Sequence, residues 1–109
     1  MKKIFYLSFL IILSFTNLIA EERETKLKKL FQDLKNDNPE FTFKTEQKIW
    51  EIWSTHPKNN ELTIMLTRGS ELVNNNQFEK AIEIYSKVIK LDPNWAEAWN
   101  KRATVLYLV

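Results

Sequence analysis

The sequence predicts an all-α fold of antiparallel helix hairpins following an N-terminal export signal. Three observations carry that prediction. Apolar residues recur at spacings of three and four along successive stretches, short clusters of Asn, Asp and Pro separate those stretches, and a period of 34 residues relates Met65 to Trp99, Arg68 to Arg102, Gly69 to Ala103 and Leu72 to Leu106. Composition agrees: the 109 residues include 1 Gly, 3 Pro and no Cys, with 44% hydrophobic and 28% charged side chains. Without cysteine there is no disulfide framework, thiolate zinc site or thiol nucleophile. With Gly69 as the single glycine, loops that cradle phosphate between several glycines are excluded.

The N-terminal segment is read first. Lys2 and Lys3 precede an apolar run from Ile4 to Leu13, which continues through Ser14, Phe15, Thr16, Asn17 and Leu18 to Ala20 before Glu21 and Glu22 end it. A basic start, an apolar middle and a small residue ahead of a polar stretch make residues 1–20 a signal peptide, cleaved after Ala20, although Leu18 is bulky for its place near the junction. The expected destination is the periplasm or the outside of the cell, with membrane contact only in transit. The alternative is an uncleaved inner-membrane anchor, for which the 17 residues from Ile4 to Ala20 stand at the lower limit of length. Removing Lys2 and Lys3 leaves 14 basic against 14 acidic side chains, spread evenly along the rest of the chain. A neutral chain without a basic stripe is a poor nucleic-acid binder, so no such partner is expected.

Five helices follow in order. From Glu24 to Asn36, Leu27, Leu30, Phe31 and Leu34 share a face, and Asn36, Asp37, Asn38 and Pro39 form a break. A second helix is expected from about Phe43 to Thr55 on Ile49, Trp50, Ile52 and Trp53, stopping at His56 and Pro57. A third covers Glu61 to Val73 on Leu62, Met65, Leu66, Gly69, Leu72 and Val73. Asn74, Asn75 and Asn76 end it, since asparagine tolerates the left-handed conformation. The fourth runs from about Phe78 to Leu91 with Ala81, Ile82, Tyr85, Val88 and Ile89 inward, and Asp92 and Pro93 close it. The fifth begins near Asn94 and carries Trp95, Ala98, Trp99, Ala103, Leu106 and Tyr107. Connections of a few residues make consecutive helices antiparallel neighbours.

The unit Met65, Gly69, Leu72, Ala81, Tyr85 and Pro93, followed by Trp99, Ala103 and Leu106, resembles the tetratricopeptide repeat (TPR), a 34-residue helix hairpin. Residues 61–109 thus look like a TPR region, one full repeat over 62–95 plus the first helix of the next, and the resemblance implies a TPR-like α-solenoid. The stretch from Trp95 to Ala103 also looks like a bacterial group of exported TPR proteins. Physical reasons support the pattern independently: Gly69 costs about 1 kcal/mol in helix propensity, which a close approach between helices would explain. Pro93 lacks an N–H and suits the first turn of a following helix. Met65 stands in place of the usual tryptophan, Leu72 in place of tyrosine, and Arg68 and Arg102 in place of leucine. The arginines are expected to lay their stems on the hairpin with guanidinium groups in water, the other reading being a row that pairs with carboxylates. Upstream, Ile49 to Pro57 aligns with Tyr85 to Pro93 at an offset of 36, so residues 21–60 are read as a degenerate N-terminal helix pair acting as a capping repeat.

No catalytic constellation is visible. His56 is the sole histidine, at a helix end where interaction with terminal carbonyls is its ordinary role. No His, Asp and Glu cluster has metal-ligand spacing, Glu79 and Glu83 belong to a solvated face, and Ser54, Ser70 and Ser86 lack a nucleophile motif. Neither enzymatic activity, nor metal, nor cofactor is therefore expected. Trp50, Trp53 and Trp99 are read as packing residues, and Trp95 as the tryptophan that projects from the inner surface. The resemblance implies a non-catalytic scaffold that binds a protein or peptide in a groove lined by first helices, here Thr63, Leu66, Ser70, Val73 and Asn74, then Glu97, Asn100, Lys101, Thr104 and Tyr107. Leu66, Ser70, Asn100 and Thr104 do not fit the carboxylate-clamp subtype. The rival expectation is a structural or self-associating assembly role. The repeat register also implies that a partner helix for the last one follows Val109, making the chain a fragment.

Overall fold

A computed structural model describes the backbone of residues 2–109 and the side chains of residues 18–109, so the expected export signal over 1–20 falls largely outside the described residues. The elements are α1 (Lys2–Asp33), α2 (Pro39–Trp53), α3 (Asn60–Asn74), α4 (Phe78–Leu91) and α5 (Ala96–Leu108), and no strand occurs among the described residues. They divide into two compact units, Met1–Ile52 and Trp53–Val109, described separately below.

In the first unit α1 runs without interruption through Ala20 and Glu21, where the sequence suggested a fresh helix only from Glu24. The residues that follow the junction are good helix formers, and Glu22 to Lys26 and Glu24 to Lys28 make exposed ion pairs one turn apart. The helix stops at Asp33, and the next backbone bonds tighten, Lys35 N–H donating to the Gln32 carbonyl and Asn36 N–H to that of Asp33. The second helix starts four residues earlier than expected, at Pro39 rather than Phe43. Asn38 is the reason: its Oδ1 accepts from the N–H groups of Glu40 and Phe41 at 3.0 and 3.2 Å. With Asn38 as the cap, Pro39 occupies the first helical position, where its missing N–H costs nothing. Thr45 and Ile49 form the buried face of α2, and Trp50, expected there, is exposed. Arg23 Nη2 donates to the Ile52 carbonyl at 2.9 Å, placing a positive charge on the C-terminal end of α2.

In the second unit α3 packs on α4 and α4 on α5. Asn59 caps α3 by accepting from the N–H groups of Glu61 and Leu62. At the other end Asn76 has φ 58°, the left-handed conformation expected of the asparagine cluster. Its N–H donates to the Val73 carbonyl at 2.9 Å and the Gln77 N–H to that of Leu72 at 2.8 Å, the paired bonds that close a helix while reversing the chain. The fourth helix has the expected bounds.

The fifth begins at Ala96, two residues later than read from sequence, and Pro93 is not in its first turn. Instead Pro93 is the second residue of a turn in which Trp95 N–H donates to the Asp92 carbonyl and Asn94 N–H to Asp92 Oδ1 at 3.1 Å. The fixed φ of proline suits that position, and the Asp92 side chain holds the turn open long enough to delay the helix.

The core is Leu62, Leu66, Ala81, Tyr85, Val88, Ile89, Trp95, Ala98 and Val105, with Met65, Leu72, Val73, Phe78 and Ile82 packed against it. Tyr85, Leu66, Val88 and Val105 are fully buried, each contributing about 1.5–3 kcal/mol by removal from water. Gly69 and Ala81 are buried as well, and what lies directly against Gly69 is the ring of Tyr85 rather than the backbone of α4. Trp95 is buried too, which corrects the expectation that it projects: its ring meets that of His56 edge to face, centroids 4.9 Å apart. Trp99, Ala103 and Leu106, which continue the repeat pattern, are exposed.

Candidate functional site

The second unit contains two polar arrangements, one at the turns and one along the faces of α3 and α5. At the turns, His56 Nε2 lies 2.6 Å from Asp92 Oδ2, while Nδ1 accepts from the backbone N–H groups of Lys58 at 3.1 Å and Asn59 at 2.9 Å. A nitrogen that accepts two N–H groups carries no proton, so Nε2 holds it and donates to Asp92. The His56 backbone N–H donates in turn to Thr63 Oγ1 at 2.8 Å. Both the His56 bond and the Asn94 N–H hold the Asp92 carboxyl below its usual value of 3.8, the His56 bond being the larger cause. The histidine therefore ties the entry of α3 to the exit of α4. It interacts with amide N–H groups and a carboxylate, not with the terminal carbonyls the sequence suggested, because it follows the helix end by three residues and faces the next helix's start.

Along the helix faces, Ser70 on α3 donates to the Leu66 carbonyl or shares a hydrogen bond with the Tyr85 hydroxyl at 3.2 Å. Tyr85 is pushed to a higher pKa chiefly by burial, with the Glu97 charge adding to it and the Ser70 bond opposing. Glu97, in the first turn of α5, is 8% exposed, and its Oε1 has no hydrogen-bond partner among the described residues. Lys101 Nζ stands 3.8 Å from that oxygen, one turn along.

The ten residues expected to line a groove divide into three groups. Ser70 bonds the Tyr85 hydroxyl, and Glu97 and Lys101 pair with each other along α5, the Glu97 charge acting on Tyr85. Asn74, Asn100, Thr104 and Tyr107 are exposed, with Tyr107 at 90%. Leu66, Val73 and Thr63 are occupied by the fold: Leu66 is 1% exposed in the core, Val73 packs against that core, and Thr63 bonds His56. Leu66 is thus corrected from a groove residue to a core residue, because α4 covers the side of α3 on which it lies.

Arg102 meets neither expectation made for the arginine row. Its guanidinium stacks on Trp99, 4.8 Å from the ring centroid, and donates to Ser86 Oγ at 3.3 Å. Trp99 Nε1 donates to the Pro93 carbonyl at 2.8 Å, so this partly exposed tryptophan braces the turn before its own helix. Among the described residues no three His, Asp or Glu side chains are placed to hold a metal ion.

Helix hairpins that pack α3 on α4 and α4 on α5 around a small residue and a tyrosine define an all-α helical-repeat unit. Residues 69–109 match the family model described as TPR repeat, which supports the TPR family for this chain. Such repeats are typically non-enzymatic scaffolds for protein–protein interaction. No curated protein and no solved structure matches the chain.

Proposed function

We propose that this chain is an exported, non-catalytic module of bacterial origin that binds a protein or peptide across the outward faces of α3 and α5. The observation that carries the reading is the stripe Asn100, Thr104 and Tyr107, spaced by four and three along α5 and left exposed by the packing of that helix on α4. An aromatic ring 90% exposed in line with the polar Asn100 and Thr104 is a feature of interaction surfaces. A photo-crosslinking residue at position 100 or 107, introduced in the native host, is expected to form a discrete adduct. The same group at the exposed Glu79 or Lys87 of α4 is expected to form none. Adducts equally frequent on both helices would overturn the proposed surface. Export predicts a mature species beginning at Glu21 by intact mass, whereas a species that keeps its leader and sediments with membranes would favour the anchored alternative.

A second reading, self-association, is favoured by the exposure of Trp99, Leu106 and Leu108 on α5. Light scattering decides it: a molar mass that rises with concentration supports assembly, and a constant monomeric mass rejects it.

A further inference from the structure

We propose that the Glu97 carboxylate receives a backbone N–H of the bound partner, making it the point at which an extended peptide is hydrogen-bonded to α5. The inference rests on the binding surface proposed above. Glu97 is more than nine-tenths buried, yet its Oε1 accepts no hydrogen bond among the described residues. A buried carboxylate oxygen without a donor is a state that folded chains avoid unless a ligand or solvent completes it. Placement in the first turn of α5 favours the negative charge through the helix dipole, but a dipole supplies no directed donor to this atom.

The surroundings select what kind of donor is missing. Lys101 Nζ at 3.8 Å already balances the charge while standing beyond hydrogen-bonding distance. A second cation on Oε1 would be set beside that ammonium and repelled by it, whereas a neutral amide N–H would not. The Tyr85 hydroxyl, the other donor at hand, is engaged with Ser70. An extended peptide suits the remaining geometry, because each peptide unit presents an N–H that donates to Glu97 and a carbonyl that accepts from the Lys101 ammonium. Lys101 sits on a flexible stem and is about a quarter exposed, so it is the part of the site that moves aside.

The test uses the full chain, wild type and Glu97→Met, against an immobilised library of random dodecapeptides. Each retained peptide is then remade with single N-methyl groups along its backbone. Wild type is expected to lose about tenfold in affinity when one particular N–H is methylated, consistent with a hydrogen bond to a charged group. Glu97→Met is expected to bind the parent peptides about tenfold more weakly, to ignore that methylation, and to melt at the same temperature as wild type or higher. Peptides that bind both proteins equally overturn the role of Glu97 and leave the surface standing. Weaker binding that follows loss of an Arg or Lys side chain, with no response to methylation, overturns the neutral donor in favour of a cation. A lower melting temperature with unchanged affinity makes Glu97 a structural partner of Lys101. If wild type retains no peptide, the binding surface itself fails and this inference with it.

Discussion

Gly69→Ala should destabilise the second unit, against the direction that helix propensity alone predicts. A Cβ built at position 69 overlaps Tyr85 Cε1 and comes within 2.8 Å of Cδ1 and Cζ, closer than real Cβ contacts allow. The ring has little room to yield. Tyr85 is 1% exposed, packed among Leu66, Ala81 and Val88 in the core, and its hydroxyl is bonded to Ser70. Overpacking of this kind costs about 1–3 kcal/mol, while alanine in mid-helix returns about 1 kcal/mol. The net loss is then about 1 kcal/mol, rising to about 2 kcal/mol if the backbone of α3 cannot shift. For a folding unit of this size each kcal/mol lowers the melting temperature by about 4–8 °C. Unfolding in urea followed by tryptophan fluorescence measures the change, since Trp95 is buried in the same core. Adding Tyr85→Leu to Gly69→Ala should cost less than the sum of the two single changes, because the smaller side chain removes the overlap. If Gly69→Ala instead stabilises the protein by about 0.5 kcal/mol or more, the ring contact is not what requires glycine and the reasoning fails.

Three further outcomes follow from the same unit. His56→Ala strips the Lys58 and Asn59 N–H groups of their acceptor and Asp92 of its donor, and should cost about 2 kcal/mol or more in urea unfolding. Because Asp92 is held below 3.8 in the folded chain, its contribution is present above that value and is lost as pH falls through the folded pKa; Asp92→Asn should therefore flatten the acid limb of a melting-temperature profile below about pH 4. Asn76→Gly should raise stability by about 0.5–1 kcal/mol in the same assay, since φ 58° strains any side chain, and Asn76→Val should lower it.

Much of the second unit was legible because local and long-range signals agree there. The bounds of α4 follow from the turn formers on either side and from an apolar face that α3 and α5 both use. Gly69 announces a close packing contact through its size alone, though not that the Tyr85 ring makes it, and the asparagine cluster announces the left-handed residue, though not that Asn76 adopts it. The misread boundaries share a cause. By its effect on helices alone, Pro39 belongs to a break and Pro93 to the first turn of a helix. Their actual roles are fixed by the preceding side chain: Asn38 caps a helix and so makes Pro39 its first residue, while Asp92 holds a turn and so keeps Pro93 out of one.

The candidate site was less legible, for a reason that lies in the helix itself. Register along first helices points to residues 66, 70, 97 and 101, but register fixes only the angle of a side chain around its helix axis and not which neighbour covers it. Leu66 and Ser70 are one turn apart on α3, yet Leu66 is 1% exposed in the core while Ser70 is partly exposed and bonded to the Tyr85 hydroxyl. Glu97 is a groove residue by register, yet it is 8% exposed, with the Lys101 ammonium 3.8 Å from its Oε1 one turn along. The His56 to Asp92 bond had a trace in the sequence, since the offset of 36 that aligns Pro57 with Pro93 also aligns His56 with Asp92. Equivalent positions in successive hairpin turns stack on one another, so an acid and a histidine at such positions are candidates for a direct bond. Leu66→Ala separates register from burial experimentally: a groove residue would lose binding alone, whereas this core residue should cost about 2–5 kcal/mol of stability in urea unfolding.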